Sequence, residues 1–120
     1  MADASILTTW GAVFPGRETM GLSVFQGAIG FFQDQKSKGN IEEFKVGITE
    51  VGELSKQAGY MLVEGSVAQL RKLIDTEDYK RLLTRAAHVV PVSVSHTVTG
   101  PAVMQAVERL IAVRNELGIK

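Results

Sequence analysis

The chain is 120 residues long, 45% hydrophobic and 22% charged, with 13 basic side chains balanced by 13 acidic ones and no cysteine. That describes one globular domain over 1–120, long enough for a core without staples. It lacks the basic excess of a nucleic-acid binder, the thiols of a disulfide, thiol-nucleophile or zinc–thiolate site, and the ~20 consecutive apolar residues that span a membrane. The N-terminal MADAS carries no charged-then-apolar leader, so a cytoplasmic protein is expected.

ILTTWGAVF (6–14) is rich in β-branched and aromatic residues and ends at Pro15-Gly16, which predicts a strand. Leu22, Phe25, Ile29 and Phe32 then recur at helical spacing, predicting a helix over 17–38 that Gly39-Asn40 stops. Met20, Val24 and Phe31 widen its apolar arc beyond what one sheet face covers, so a second helix or a partner subunit is expected over the remainder. Gly27 and Gly30 lie inside this helix rather than after a strand. They form no phosphate loop and are expected to allow close packing.

IEEFKVGITEVG (41–52) sets Phe44, Val46 and Ile48 on one side against Glu43, Lys45 and Thr49 on the other. This is the pattern of a half-buried antiparallel strand. The polar ELSKQA leads to a second short strand, GYMLVEG (59–65), completing a hairpin. Ser66 with Gln69 forms a capping box for a helix carrying Leu70, Leu73 and Ile74. The helical pattern breaks at Asp75 and restarts behind Thr76, with Glu77 and Asp78 in the first turn and Tyr79, Leu82, Leu83 and Ala86 on one buried face.

HVVPVSVSHTVTG (88–100) alternates again, with Pro91 marking a sheet edge or bulge. Pro101 suits the first position of a last helix, which places Val103, Ala106, Val107, Leu110, Val113 and Leu117 at helical spacing. The order is β-α-β-β-α-β plus a C-terminal helix. This is the α+β ferredoxin-like arrangement, with an antiparallel sheet and the helices on one face.

Phe44, Val46 and Ile48, with Val90, Val92 and Val94, are expected under the helices. The other face then presents Glu43, Lys45, Thr49, Ser93, Ser95 and Thr97. Trp10 and Ala12 share one parity of the first strand, and periodicity alone does not say which face that is. Two such sheets meeting in a homodimer would enclose a partly polar cavity.

With this topology the chain resembles the dimeric α/β-barrel superfamily over 6–99. It is also similar to small uncharacterised bacterial proteins in its PGRE (15–18), KGNIEEF (38–44) and YKRLLTRAA (79–87) segments. The resemblance implies a homodimer through the open sheet faces, with no cofactor specified and no established activity. Superfamily members include cofactor-independent monooxygenases, isomerases, dehydratase-like enzymes, heme proteins and proteins without known chemistry, and fold alone does not choose among them. The first reading is a protein of unknown function binding a small organic molecule. Beside it stand a cofactor-independent monooxygenase- or isomerase-like enzyme and a small-molecule-sensing regulatory module.

Six residues are candidates for ligand contact: Trp10, Arg17, Glu43, Lys45, Tyr60 and His96. Trp10 and Tyr60 either stack a planar ligand or fill the core and interface. Glu18 is explained by the helix dipole, whereas Arg17 at a helix start is mildly disfavoured. Arg17 therefore calls for a carboxylate such as Glu43, Glu50 or Glu64, a dimer contact or an anionic ligand. Glu43 and Glu50 would act as a base only in a dry cavity, where burial raises a carboxyl pKa. His88 and His96 stand too far apart for an H-x-H or H-x-x-x-H metal pattern, and no metal site is expected. Arg81 and Arg85 share a helix side, either solvated or facing an anion.

Overall fold

The computed structural model describes residues 2–119. Strands β1 (Ala4–Trp10), β2 (Glu43–Ile48), β3 (Gly59–Gly65) and β4 (Val92–Val98) form one sheet in the order β2-β3-β1-β4, with every neighbouring pair antiparallel. The helices are α1 (Glu18–Ser37), α2 (Val67–Ile74), α3 (Glu77–Ala87) and α4 (Pro101–Glu116). The fold is α+β and ferredoxin-like, as expected.

Strand register settles which face Trp10 joins. Directly opposed residues of an antiparallel pair lie on the same side. Ile6 faces Val63 and His96, Thr8 faces Met61 and Val94, and Trp10 faces Gly59 and Val92. Ile6, Met61 and Val63 are almost fully buried among Phe32 of α1, Leu70 and Leu73 of α2, and Tyr79 and Leu82 of α3. The Trp10 parity is therefore the helix side. The open side carries Leu7, Thr9, Tyr60, Leu62, Glu43 and Lys45. Each large side chain taken from water into this core stabilises the fold by about 1.5–3 kcal/mol.

The expected caps form. Ser66 Oγ accepts from the Gln69 backbone N–H at 3.0 Å, and Gln69 Oε1 accepts from the Ser66 N–H at 2.8 Å. Thr76 Oγ1 accepts from the Tyr79 N–H at 3.3 Å, starting α3. α1 stops where Gly39 takes φ +77, a left-handed conformation natural to glycine.

Three expectations need correction. β1 ends at Trp10 instead of Phe14. Beyond it the Gly11 and Phe14 N–H groups donate to Pro91 and Val89 carbonyls at 3.0 and 2.8 Å. Proline has no N–H to donate in return, so the regular ladder with β4 stops at the Trp10–Val92 pair. Gly27 and Gly30 do not mediate close packing, since among the described residues nothing approaches within 4 Å of a Cβ placed at either. Leu22, expected in the α1 stripe facing the core, is 58% exposed, and Met20 beside it is 57% exposed.

α4 differs in kind from the other helices. None of its residues is buried, and Leu110 and Leu117 are 71% and 68% exposed. It leaves β4 at Gly100 and touches chiefly that strand, giving the molecule a long dimension of 51 Å.

Candidate functional site

A cavity of about 280 Å³ opens between α1, the sheet and the segment that precedes β4. Thr8 and Trp10 reach it from β1, Glu18 and Phe25 from α1, and Met61 and Val89 from the sheet and from the end of the α3 crossover. Its size lies at the lower end of small-molecule sites, which run from about 300 to 1,000 Å³, and its lining is overwhelmingly apolar as in such sites.

The PGRE turn builds the cavity mouth. Gly16, at φ +81, turns the chain, and the Arg17 N–H closes back onto the Phe14 carbonyl at 3.0 Å. The Arg17 guanidinium Nη1 donates to the His88 carbonyl at the end of α3, and Phe14 is bonded to Val89. The turn is thus tied to the α3–β4 connection, and α1 starts over the end of the sheet. Close by, a Cβ at Gly21 would sit 3.1 Å from Val13, so α1 lies tight against the chain leaving β1.

Trp10 is held by shape. A Cβ at Gly59 would come within 2.6 Å of the indole, so only glycine lets the ring lie across β3. On its other side the ring meets Phe25 edge-on, with centroids 5.7 Å apart and planes at 60°, a favourable aromatic geometry. Among the described residues, Thr8, Trp10 and Glu18 are the lining residues that carry polar side-chain groups. Glu18 Oε1 accepts from the Gly16 N–H at 3.3 Å. Among the described residues lining the cavity, Glu18 is the one carboxylate and no histidine accompanies it.

The six sequence candidates do not converge on one site. Trp10 lines the cavity. Arg17 meets a backbone carbonyl, and Glu43, Glu50 and Glu64 play no part in holding it. Glu43, Lys45 and Tyr60 stand on the open face. There Glu43 pairs with Lys36 at 2.7 Å, and Lys45 lies 4.0 Å from Glu64. The Lys36 hydrogen bond, and then the Phe44 N–H, hold the Glu43 carboxyl below its ordinary pKa. It is therefore a poor general base. Tyr60 lies across Gly47, where a Cβ would come within 2.1 Å of its ring. His96 is exposed on the helix-side parity of β4, four positions from Val92, and lines a separate groove with Arg71 and Ile74. Arg81 pairs with Glu77 at 3.5 Å.

Thr8 and Met61 escaped sequence reading, and Phe25 and Glu18 were taken for core and cap. One signal was present: Thr8 is a polar residue between Ile6 and Trp10 on a parity that is otherwise apolar.

Neither a protein-family model nor a curated protein matches the chain. Several solved structures share its fold. A proposed antibiotic biosynthesis monooxygenase from Deinococcus radiodurans superimposes with a TM-score of 0.59 at 12% identity, covering 83% of this chain and 93% of that one. A dimeric protein of unknown function and ferredoxin-like fold from Bacteroides fragilis gives 0.57 at 8% identity, covering 79% and 95%. SnoaB, a cofactor-independent oxygenase from Streptomyces nogalater, gives 0.54 at 15% identity, covering 82% and 95%. At these identities the likeness is one of fold alone, the ferredoxin-like fold.

Proposed function

We propose that the protein is a homodimeric α/β barrel that holds a small organic molecule in the cavity between α1 and the sheet of each subunit. The observation that carries this reading is the cavity itself. It is apolar, it is walled by the Trp10–Phe25 pair, and it is preserved by glycine at position 59. It is open to solvent past the exposed Leu22 and Ile48, so a ligand could enter it and cover apolar surface that water now touches.

The dimer is supported by two surfaces that one chain leaves uncovered. One is the open sheet face with Leu7, Tyr60 and Leu62, and the other is the apolar side of α4. The Bacteroides fragilis neighbour is described as dimeric. Among the described residues no helix is long and apolar enough to cross a membrane, which accords with a cytoplasmic protein.

A second reading, a cofactor-independent monooxygenase-like enzyme, is favoured by one neighbour described as an antibiotic biosynthesis monooxygenase and another described as a cofactor-independent oxygenase. In it Glu18 is the group that takes a proton from the bound substrate.

Trp10 is the only tryptophan of the chain, so its emission reports on the cavity directly. Titration with small aromatic compounds is expected to shift or quench that emission in a saturable way, and Phe25→Ala is expected to weaken binding. A panel of such compounds that leaves the emission unchanged, with no gain in melting temperature, would refute the reading.

A further inference from the structure

Resting on the reading that this cavity binds a ligand, we infer that the ligand is a small organic cation, an ammonium compound whose apolar body fills the cavity and whose charge is met by Glu18 and the Trp10 ring. Three independent features point there. First, among the described residues Glu18 is the only charged side chain lining the cavity, and no lysine, arginine or histidine joins it. Second, no cationic side chain among the described residues forms an ion pair with Glu18. Its neighbour Arg17 donates to the His88 carbonyl. Third, two aromatic rings, Trp10 and Phe25, wall the same space in an edge-to-face pair.

Glu18 is exposed at the edge of the apolar cavity, so water screens its charge, but its negative sign still favours a cation over an anion. Aromatic faces add to this, since the ring quadrupole attracts a cation and tryptophan does so best among the side chains. An apolar space with rings and a single carboxylate is the combination that recognises alkylated ammonium groups. The formal charges of the chain cancel, 13 against 13, so the preference is a local property of Glu18 rather than of the whole surface.

Three probes of similar size separate the alternatives: benzyltrimethylammonium, its uncharged isostere neopentylbenzene, and phenylacetate. Each is titrated into the intact protein by Trp10 emission and by calorimetry. The cation is expected to bind about tenfold or more tightly than the isostere, the span that cation–π and carboxylate contacts provide, with phenylacetate weakest. Added salt should shrink the advantage. In Glu18→Gln, checked for an unchanged circular dichroism spectrum, cation and isostere should bind within about threefold of each other. Equal binding of cation and isostere in the parent overturns this inference and leaves the cavity reading standing. So does an undiminished preference in Glu18→Gln. Failure of all three probes overturns the cavity reading, and this inference with it.

Discussion

At the scale of single residues, glycine 59 and Tyr79 show how the core makes room for function and where it carries a defect. A methyl group at Gly59 would meet the Trp10 indole and, at 2.8 Å, the Gly47 carbonyl. The ring can move only into the cavity, and the carbonyl cannot move without breaking the β2–β3 ladder. Gly59→Ala should therefore cost about 1–3 kcal/mol of stability, the usual cost of overpacking, and should change the emission of Trp10. A denaturation midpoint equal to the parent's, with an unchanged spectrum, would show that the ring is not so confined.

Tyr79 presents the opposite situation. Its hydroxyl is buried without a hydrogen-bond partner among the described residues, and burial raises its pKa above the ordinary tyrosine value. A raised folded pKa means that the associated stability is complete below the unfolded pKa and is lost as pH rises through the folded one. Tyr79→Phe should leave stability at neutral pH unchanged or raise it by about 1 kcal/mol, because an unsatisfied buried polar group is removed. The variant should also resist alkaline unfolding, from the ordinary tyrosine range upward, better than the parent. Guanidinium titrations at neutral and alkaline pH compare the two, and a variant less stable at both would show that the hydroxyl has a partner.

At the scale of elements, legibility followed how local the governing physics is. The hairpin, both caps and the α3 face with Tyr79 and Leu82 could be read in advance, since period, cap chemistry and turn residues act within a few positions. The end of β1 could not be. It is set by Pro91, nearly eighty residues away in sequence, which has no N–H to return to the ladder. The side taken by Trp10 was equally closed to periodicity, because a strand's two parities become distinguishable only through pairing with β3 and β4. The cavity was illegible for the same reason: its walls come from β1, α1, β3 and the α3–β4 connection, which no sequence window joins. Gly27 and Gly30 were misread because a mid-helix glycine looks alike whether it faces a neighbour or open space.

α4 is the element whose surroundings are incomplete. A 16-residue helix with no buried side chain is marginal by itself in water, and in the proposed dimer it packs against the second copy. Leu110→Glu touches nothing in the core and tests this contact alone. Sedimentation should show the parent as a dimer at micromolar concentration and the variant shifted toward monomer. A monomeric parent, or a variant that sediments as the parent does, would contradict that role for α4.

At the scale of the whole molecule, the sheet divides two environments. On one side lie the helices, the core and an apolar cavity with one carboxylate at its mouth. On the other lie Tyr60, Leu62 and the Lys45–Glu64 pair, while Glu43 reaches round the sheet edge to Lys36 of α1. The PGRE turn belongs to the first side, where Arg17 fastens the start of α1 to the end of α3 and Glu18 faces the cavity. The central claim is that ligands enter on this side. Because the chain has a single tryptophan, its indole N–H gives one cross-peak in a proton–nitrogen correlation spectrum. Titration with benzyltrimethylammonium should move that peak together with the amides of Thr8, Gly21 and Val90, and leave Leu7, Tyr60 and Leu62 in place. Shifts confined to the open-face residues, with the indole peak unmoved, would contradict it.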